Sequence, residues 1–215
     1  MKRKFYISAG LLLAFLLWTI LVCFVDVGAI GPNGSSVGLA GINGWFHQLT
    51  GVHMVLYHIS DWLGLVPVVV GFGFAILGLA QWIKRKSILK VDFDILVLGG
   101  FYILTLAGYL LFEEFVINYR PVLINGYLEA SYPSSTTLLV LCVMPTAMLQ
   151  LKDRIKNAIL RRCVLWSISI FMFLMVIGRL ISGVHWLTDI VGGMLLSGCL
   201  VMLYHAIANV KHPVC

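Results

Sequence analysis

The 215-residue sequence predicts an all-α fold, an integral membrane bundle of about six transmembrane helices, and three observations predict it. Hydrophobic residues make up 60% of the chain and charged residues 11%, with a mean hydropathy of +0.99, which is more apolar surface than a water-soluble fold of this size covers. Apolar runs of about 20 residues recur, each long enough at about 1.5 Å per residue to cross a bilayer core. Thirteen of the fifteen Lys and Arg residues fall where a multispanning protein places cytoplasmic charge, and the other two, Arg120 and Arg179, sit near outer ends of spans.

The first apolar run, residues 5–25, follows Lys2-Arg3-Lys4 and is expected to be an uncleaved helix rather than a signal peptide. Residues 26–61 open with the Gly/Ser-rich IGPNGSSVG, a loop by composition, and continue with apolar residues mixed with His and Trp, as in a surface or interfacial helix. The second span, 62–83, ends at Lys84-Arg85-Lys86, and a basic turn containing Lys90 leads to the third, 95–112. Residues 113–133 form an outer loop and 134–150 the fourth span. The inner turn LKDRIKNAILRR carries five cations before the fifth span, 163–178. A tight outer loop, 179–186, precedes the sixth span, 187–208, and a tail with Lys211. This alternation places both termini on the cytoplasmic side of a cell membrane and makes residues 1–215 a single membrane-embedded domain. Its chemistry must come from span ends and outer loops, at a site that faces outward.

Composition also bounds the function. The formal charge of +6 lies in short runs between apolar segments, which suits topology and contact with membrane lipids rather than nucleic acid. Cys23, Cys142, Cys163, Cys199 and Cys215 have no metal-ligand spacing and suit packing. The span interiors are nearly free of charge, which disfavours a channel or carrier.

Two segments carry chemistry. In GRLISGVHWLTD, Arg179, His185 and Asp189 are spaced R-x5-H-x3-D. If the sixth helix starts near His185, Asp189 lies one turn along, where its carboxylate can hold one ring nitrogen and leave the other as a nucleophile. Arg179 offers a planar fork for two phosphoryl oxygens. The second segment contains NYRP, with Arg120, and then YPSST at the start of the fourth span. There Ser134, Ser135, Thr136 and the first free N–H groups of a helix make an oxyanion cradle. Trp45, Trp62 and Trp186 fit an outer aromatic belt.

These stretches resemble the type 2 phosphatidic acid phosphatase (PAP2) family, membrane lipid phosphatases that share a helical bundle with vanadium haloperoxidases. The family motifs are K-x6-R-P, P-S-G-H and S-R-x5-H-x3-D; here they read EEFVINYRP, PSST and GRLISGVHWLTD. The resemblance implies a PAP2/haloperoxidase-like core in which Arg120 and Arg179 bind the phosphoryl group and Ser134 donates to it. It further implies that His185 attacks phosphorus to give a phosphohistidine, that Asp189 orients His185, and that water then hydrolyses the intermediate.

The sequence departs from the pattern at three positions. Gly178 replaces the serine before the last arginine. Glu113 stands where the family has lysine, and two unit charges ~4 Å apart interact by about 4 kcal/mol at an effective dielectric of about 20, so its carboxylate must point away, pair with an arginine or be neutralised. Thr136 stands where the family has the histidine that protonates the leaving group. Threonine cannot act as that acid, whose contribution is typically roughly 10²–10⁴-fold, so a leaving group that is already a weak base is favoured. Candidate replacement acids are His47, His53, His58 and Asp61.

The expected function is therefore dephosphorylation of an amphiphilic lipid phosphate or diphosphate, with the diphosphate preferred. Arginines and helix N–H groups supply the charge stabilisation a metal would give, so no metal and no other cofactor is called for. The alternative is a non-catalytic protein that binds or assists transport of a phosphate-bearing lipid on the same fold.

Overall fold

The computed structural model describes residues 2–208; Lys211 and Cys215 lie outside the described residues. The chain forms α1 (Lys2–Phe24), α2 (Ala40–Thr50), α3 (Met54–Leu63), α4 (Leu65–Arg85), α5 (Phe93–Glu114), α6 (Ser135–Arg154), α7 (Ala158–Ile181) and α8 (Leu187–Ala208). Taking α3 and α4 as one stretch, six of these helical segments are long and apolar enough to cross a membrane. The protein is a multi-pass membrane helical bundle.

The helices run further than the apolar windows in the sequence. Met54–Arg85 is a single 32-residue stretch because Gly64, at the joint, keeps right-handed helical angles (φ −60°, ψ −17°). Polar His58, Ser60 and Asp61 mask this continuity in a hydropathy window, yet Tyr57 and Ser60, three apart, both turn inward. Likewise α6 continues to Arg154, α7 starts at Ala158, and α5 ends at Glu114. Charged residues at span ends close a hydropathy window while the backbone stays helical, whether the side chain reaches towards water, as Glu113 does, or turns inward, as Arg179 does. Glu113 therefore lies in the last turn of α5 and Arg179 in the last turn of α7, rather than in loops.

Half of the spanning residues of α6 and α8 are buried (50%), against 11–22% in the other spans, so these two helices form the centre. Small residues permit the approach: a Cβ on Gly192 of α8 would lie 2.7 Å from the Tyr132 ring, and one on Gly193 would lie 3.3 Å from the Ser134 carbonyl. Phe15, Leu98, Phe101, Leu138, Cys142 and Leu200 fill the surrounding core. Helix α1 packs along α8, tied by Trp18 Nε1–H to the Thr188 carbonyl (3.1 Å) and Ser8 Oγ–H to that of Cys199 (3.0 Å).

The basic runs gather at one end of the bundle, where Arg154 pairs with Asp94 (3.1 Å), Arg85 with Asp92 (2.8 Å), and Lys4 contacts His205 (2.9 Å). At the opposite end, α2 and α3, the 115–134 loop and the α7–α8 turn meet over the core. Trp45 and Trp62 are exposed there as a belt requires. Trp186 is not: it is buried, and its Nε1–H is held by the Tyr119 carbonyl (2.8 Å). Its place in a tight turn between helices, rather than on a span surface, turns it into the bundle.

Candidate active site

The α7–α8 turn is fixed from several directions. Ser182 N–H bonds back to the Gly178 carbonyl (2.9 Å), and the Ser182 carbonyl accepts His53 N–H (2.9 Å) from the segment before α3. Gly183 has φ +67°, and any side chain there would strike the Gly51 carbonyl, so the position requires glycine on both conformational and steric grounds. Helix α8 begins at Leu187, two residues after His185, and Asp189 at its third position accepts Trp186 N–H through Oδ2 (2.8 Å), the reciprocal half of a capping box. Asn43 of α2 accepts Thr188 N–H (3.2 Å) and donates to Thr188 Oγ1 (3.0 Å) and the Gly38 carbonyl (2.8 Å).

His185 is presented by this turn with only 3% of its surface exposed. Its Nδ1 lies 3.6 Å from Asp189 Oδ2, and its Nε2 lies 3.3 Å from Arg179 Nη2. A guanidinium only donates, so Nε2 bears the lone pair and the ring proton sits on Nδ1, facing Asp189. Burial, and after it the charges of Arg120 and Arg179, hold the imidazole well below the ordinary histidine range. The Asn118 and Ser131 side chains also face the Asp189 carboxylate.

The two arginines arrive from different elements. Arg179 is 1% exposed; its Nη1 lies 3.4 Å from Ser60 Oγ and 3.6 Å from Asp61 Oδ1. Arg120 sits in the 115–134 loop, where its N–H donates to the Glu129 carbonyl (3.0 Å) and its Nε lies 3.1 Å from Glu129 Oε2. The buried Tyr57 ring contacts both guanidinia, with centroid distances of 6.0 Å to Arg120 and 5.1 Å to Arg179.

The α6 N-terminus completes the ring of groups. Its first helical bond is Leu138 N–H to the Ser134 carbonyl (2.9 Å), so the N–H groups of Ser135, Thr136 and Thr137 precede the ladder. Ser134 N–H donates to the Asp189 carbonyl (3.0 Å), which joins this helix start to that of α8. The three side chains then diverge. Ser134 is buried and its Oγ accepts from Thr137 Oγ1 (3.1 Å); Ser135 turns to a small cavity shared with Tyr109 and Glu113; Thr136 faces Gly64 at the α3–α4 joint.

Glu113 is exposed, and the carboxylate paired with Arg120 is Glu129. Among the candidate acids, His47 contacts the Gly183 carbonyl (3.2 Å), His53 the Thr50 carbonyl (2.9 Å), and exposed His58 meets the Tyr57 ring at a tilt of 55°. Asp61 alone of the four makes an ion pair with a site arginine.

Among the described residues, eight buried side-chain nitrogen or oxygen atoms lack a hydrogen-bond partner, and six of them belong to Asn118, Arg120, Arg179, His185 and Asp189. Of these, Arg120 Nε still has the Glu129 carboxylate at 3.1 Å, and a buried group without a partner costs about 1–3 kcal/mol, so the cluster makes these residues the candidate anion site. An anion on the two guanidinia would face the Nε2 lone pair. Tyr57, Asn43 and Glu129 join the site through the fold, outside the sequence motifs. For Glu129 a signal existed: Asn125-Gly126, with φ +51° and +83°, is a hairpin turn that folds the second half of the loop back on Arg120.

The family model described as PAP2 superfamily matches residues 68–213. Among solved structures, one described as the first transmembrane PAP2 type phosphatidylglycerolphosphate phosphatase from Bacillus subtilis shares the fold. The TM-score is 0.59 and the identity 20%, and the match covers 97% of this chain and 98% of that one. No curated protein sequence matches the chain.

Proposed function

The chain belongs to the PAP2 superfamily, and from that membership we propose that it removes the terminal phosphoryl group of a membrane lipid phosphate or diphosphate at the outer membrane face, through a phosphohistidine at His185. The observation that carries this reading is the position of His185, whose Nε2 lies 3.3 Å from Arg179 Nη2 while Nδ1 faces Asp189. Nucleophile and anion-binding group are thus in contact before substrate arrives. The similar fold of a phosphatidylglycerolphosphate phosphatase favours a phosphorylated lipid as substrate.

Arg120 and Arg179 take the phosphoryl oxygens, with the N–H groups of the first α6 turn and the Ser134 hydroxyl as further donors, whereas Ser135 and Thr136, expected from sequence to join the cradle, turn their side chains to the Glu113 cavity and to Gly64. The Nε2 lone pair forms the P–N bond as the bond to the leaving oxygen breaks, and Asp189 keeps the Nδ1 proton in place. With Thr136 unable to serve as an acid, the leaving group departs without assistance. A lipid monophosphate, released from a diphosphate, does this far more readily than the alkoxide released from a monoester.

Phosphate release from the purified protein in detergent, with a prenyl diphosphate, a prenyl monophosphate and phosphatidic acid in parallel, tests the proposal. The diphosphate is expected to react fastest, and His185→Ala to abolish release. A faster monoester would sink the diphosphate preference. Silence on all three substrates, with lipid binding retained in His185→Ala, would establish a non-catalytic binder instead.

A further inference from the structure

Arg179 joins two groups through its terminal nitrogens: Nη2 lies 3.3 Å from His185 Nε2, and Nη1 lies 3.6 Å from Asp61 Oδ1. A phosphoryl group seated on this guanidinium has the nucleophile on one side and the Asp61 carboxylate on the other. The same end of α3 abuts Thr136, since a Cβ on Gly64 would lie 3.5 Å from Thr136 Cγ2 and 2.9 Å from the Asp61 carbonyl. The Asp61 carboxylate thus lies on the guanidinium at the end of α3 that adjoins Thr136.

Other acidic groups are placed differently. Asp189 is fully buried and committed to Trp186 N–H, and Glu129 pairs with Arg120. The Asp61 side chain is 55% exposed, so water reaches it. Residues 68–213 are those matched by the family model, and Asp61 precedes them.

We propose that Asp61 is the general base of the second half-reaction, taking a proton from the water that hydrolyses the phosphohistidine. The inference rests on the phosphatase reading above and deepens it. In the first half-reaction the lipid monophosphate leaves with the electron pair of the broken P–O bond and needs no proton. In the second, the water oxygen bonds to phosphorus, the P–Nε2 bond breaks, its electron pair returns to Nε2, and the proton passes to the Asp61 carboxylate and on to solvent. An ionised carboxylate serves as base but not as acid, which matches a substrate whose leaving group requires no acid.

The test is turnover and covalent labelling with a prenyl diphosphate carrying a radioactive terminal phosphate, comparing wild type, Asp61→Asn, Asp61→Glu and His185→Ala. General-base removal typically costs roughly 10²–10⁴-fold. Asp61→Asn is expected to lose about 10²-fold in steady-state release while accumulating acid-labile label on the protein, Asp61→Glu to recover part of the rate, and His185→Ala to carry no label. Loss of both release and label in Asp61→Asn would overturn the proposal and make Asp61 a positioning partner of Arg179. Unchanged release would also overturn it. Wild-type protein that neither releases phosphate nor takes up label would instead reject the underlying phosphatase reading.

Discussion

A histidine that attacks phosphorus must be uncharged, and His185 is kept so first by burial and then by Arg120 and Arg179. As pH falls, the imidazole protonates and loses its lone pair, but its depressed pKa delays that loss. The acid limb of kcat/KM assigned to His185, after correction for substrate ionisation, is therefore expected below about pH 6.5, where an unperturbed histidine is half protonated. A limb at or above that value would show that the ring is not held in this buried, arginine-flanked position in the working protein. The residues of this prediction were legible in sequence because Arg179, His185 and Asp189 lie in a single 11-residue stretch whose spacing survives folding. Tyr57, more than 60 positions from Arg120, was not legible: its contact with both arginines depends on where α3 lands. The same is true of Asp61, which sequence offered only alongside three histidines that the fold turns to other uses.

At the level of elements, the position of the proposed nucleophile, His185, depends on a helix it does not belong to. Asn43 is fully buried, and its three hydrogen bonds link α2 to Gly38 and to Thr188 at the start of α8. Asn43→Ala leaves Thr188 N–H and the Gly38 carbonyl without that partner, a loss of about 1–3 kcal/mol in a buried setting. The expected outcome is a lower Tm in detergent and a lower kcat as the turn carrying His185 loosens. An unchanged Tm would mean that the α8 start is held without α2. Apolar length made the six spans readable, since it is a one-dimensional property. Helix ends were less readable, because charged residues close a hydropathy window before they close a helix. That difference moved Arg179 and Glu113 from loops into last turns and joined α3 to α4.

For the whole molecule, charge supports the outward orientation proposed for the site. Twelve of the described Lys and Arg residues cluster at the end formed by the start of α1, the α4–α5 turn and the α6–α7 turn, whereas the opposite end holds Arg120 and Arg179. The bias of cations in short loops sets the direction of insertion, and an excess of this size favours a cytoplasmic basic end and an outward site. Two exposed positions report on it: Tyr127, 74% exposed in the hairpin beside Arg120, and Leu89, 88% exposed in the α4–α5 turn. In a cysteine-free background, a membrane-impermeant maleimide applied to intact cells should label Tyr127→Cys. Leu89→Cys should label only after permeabilisation. The reverse pattern would place the two arginines and His185 in the cytoplasm and remove the outer-face substrate from the proposal, whereas the expected pattern restricts the substrate to lipids whose phosphate is displayed on the outer leaflet.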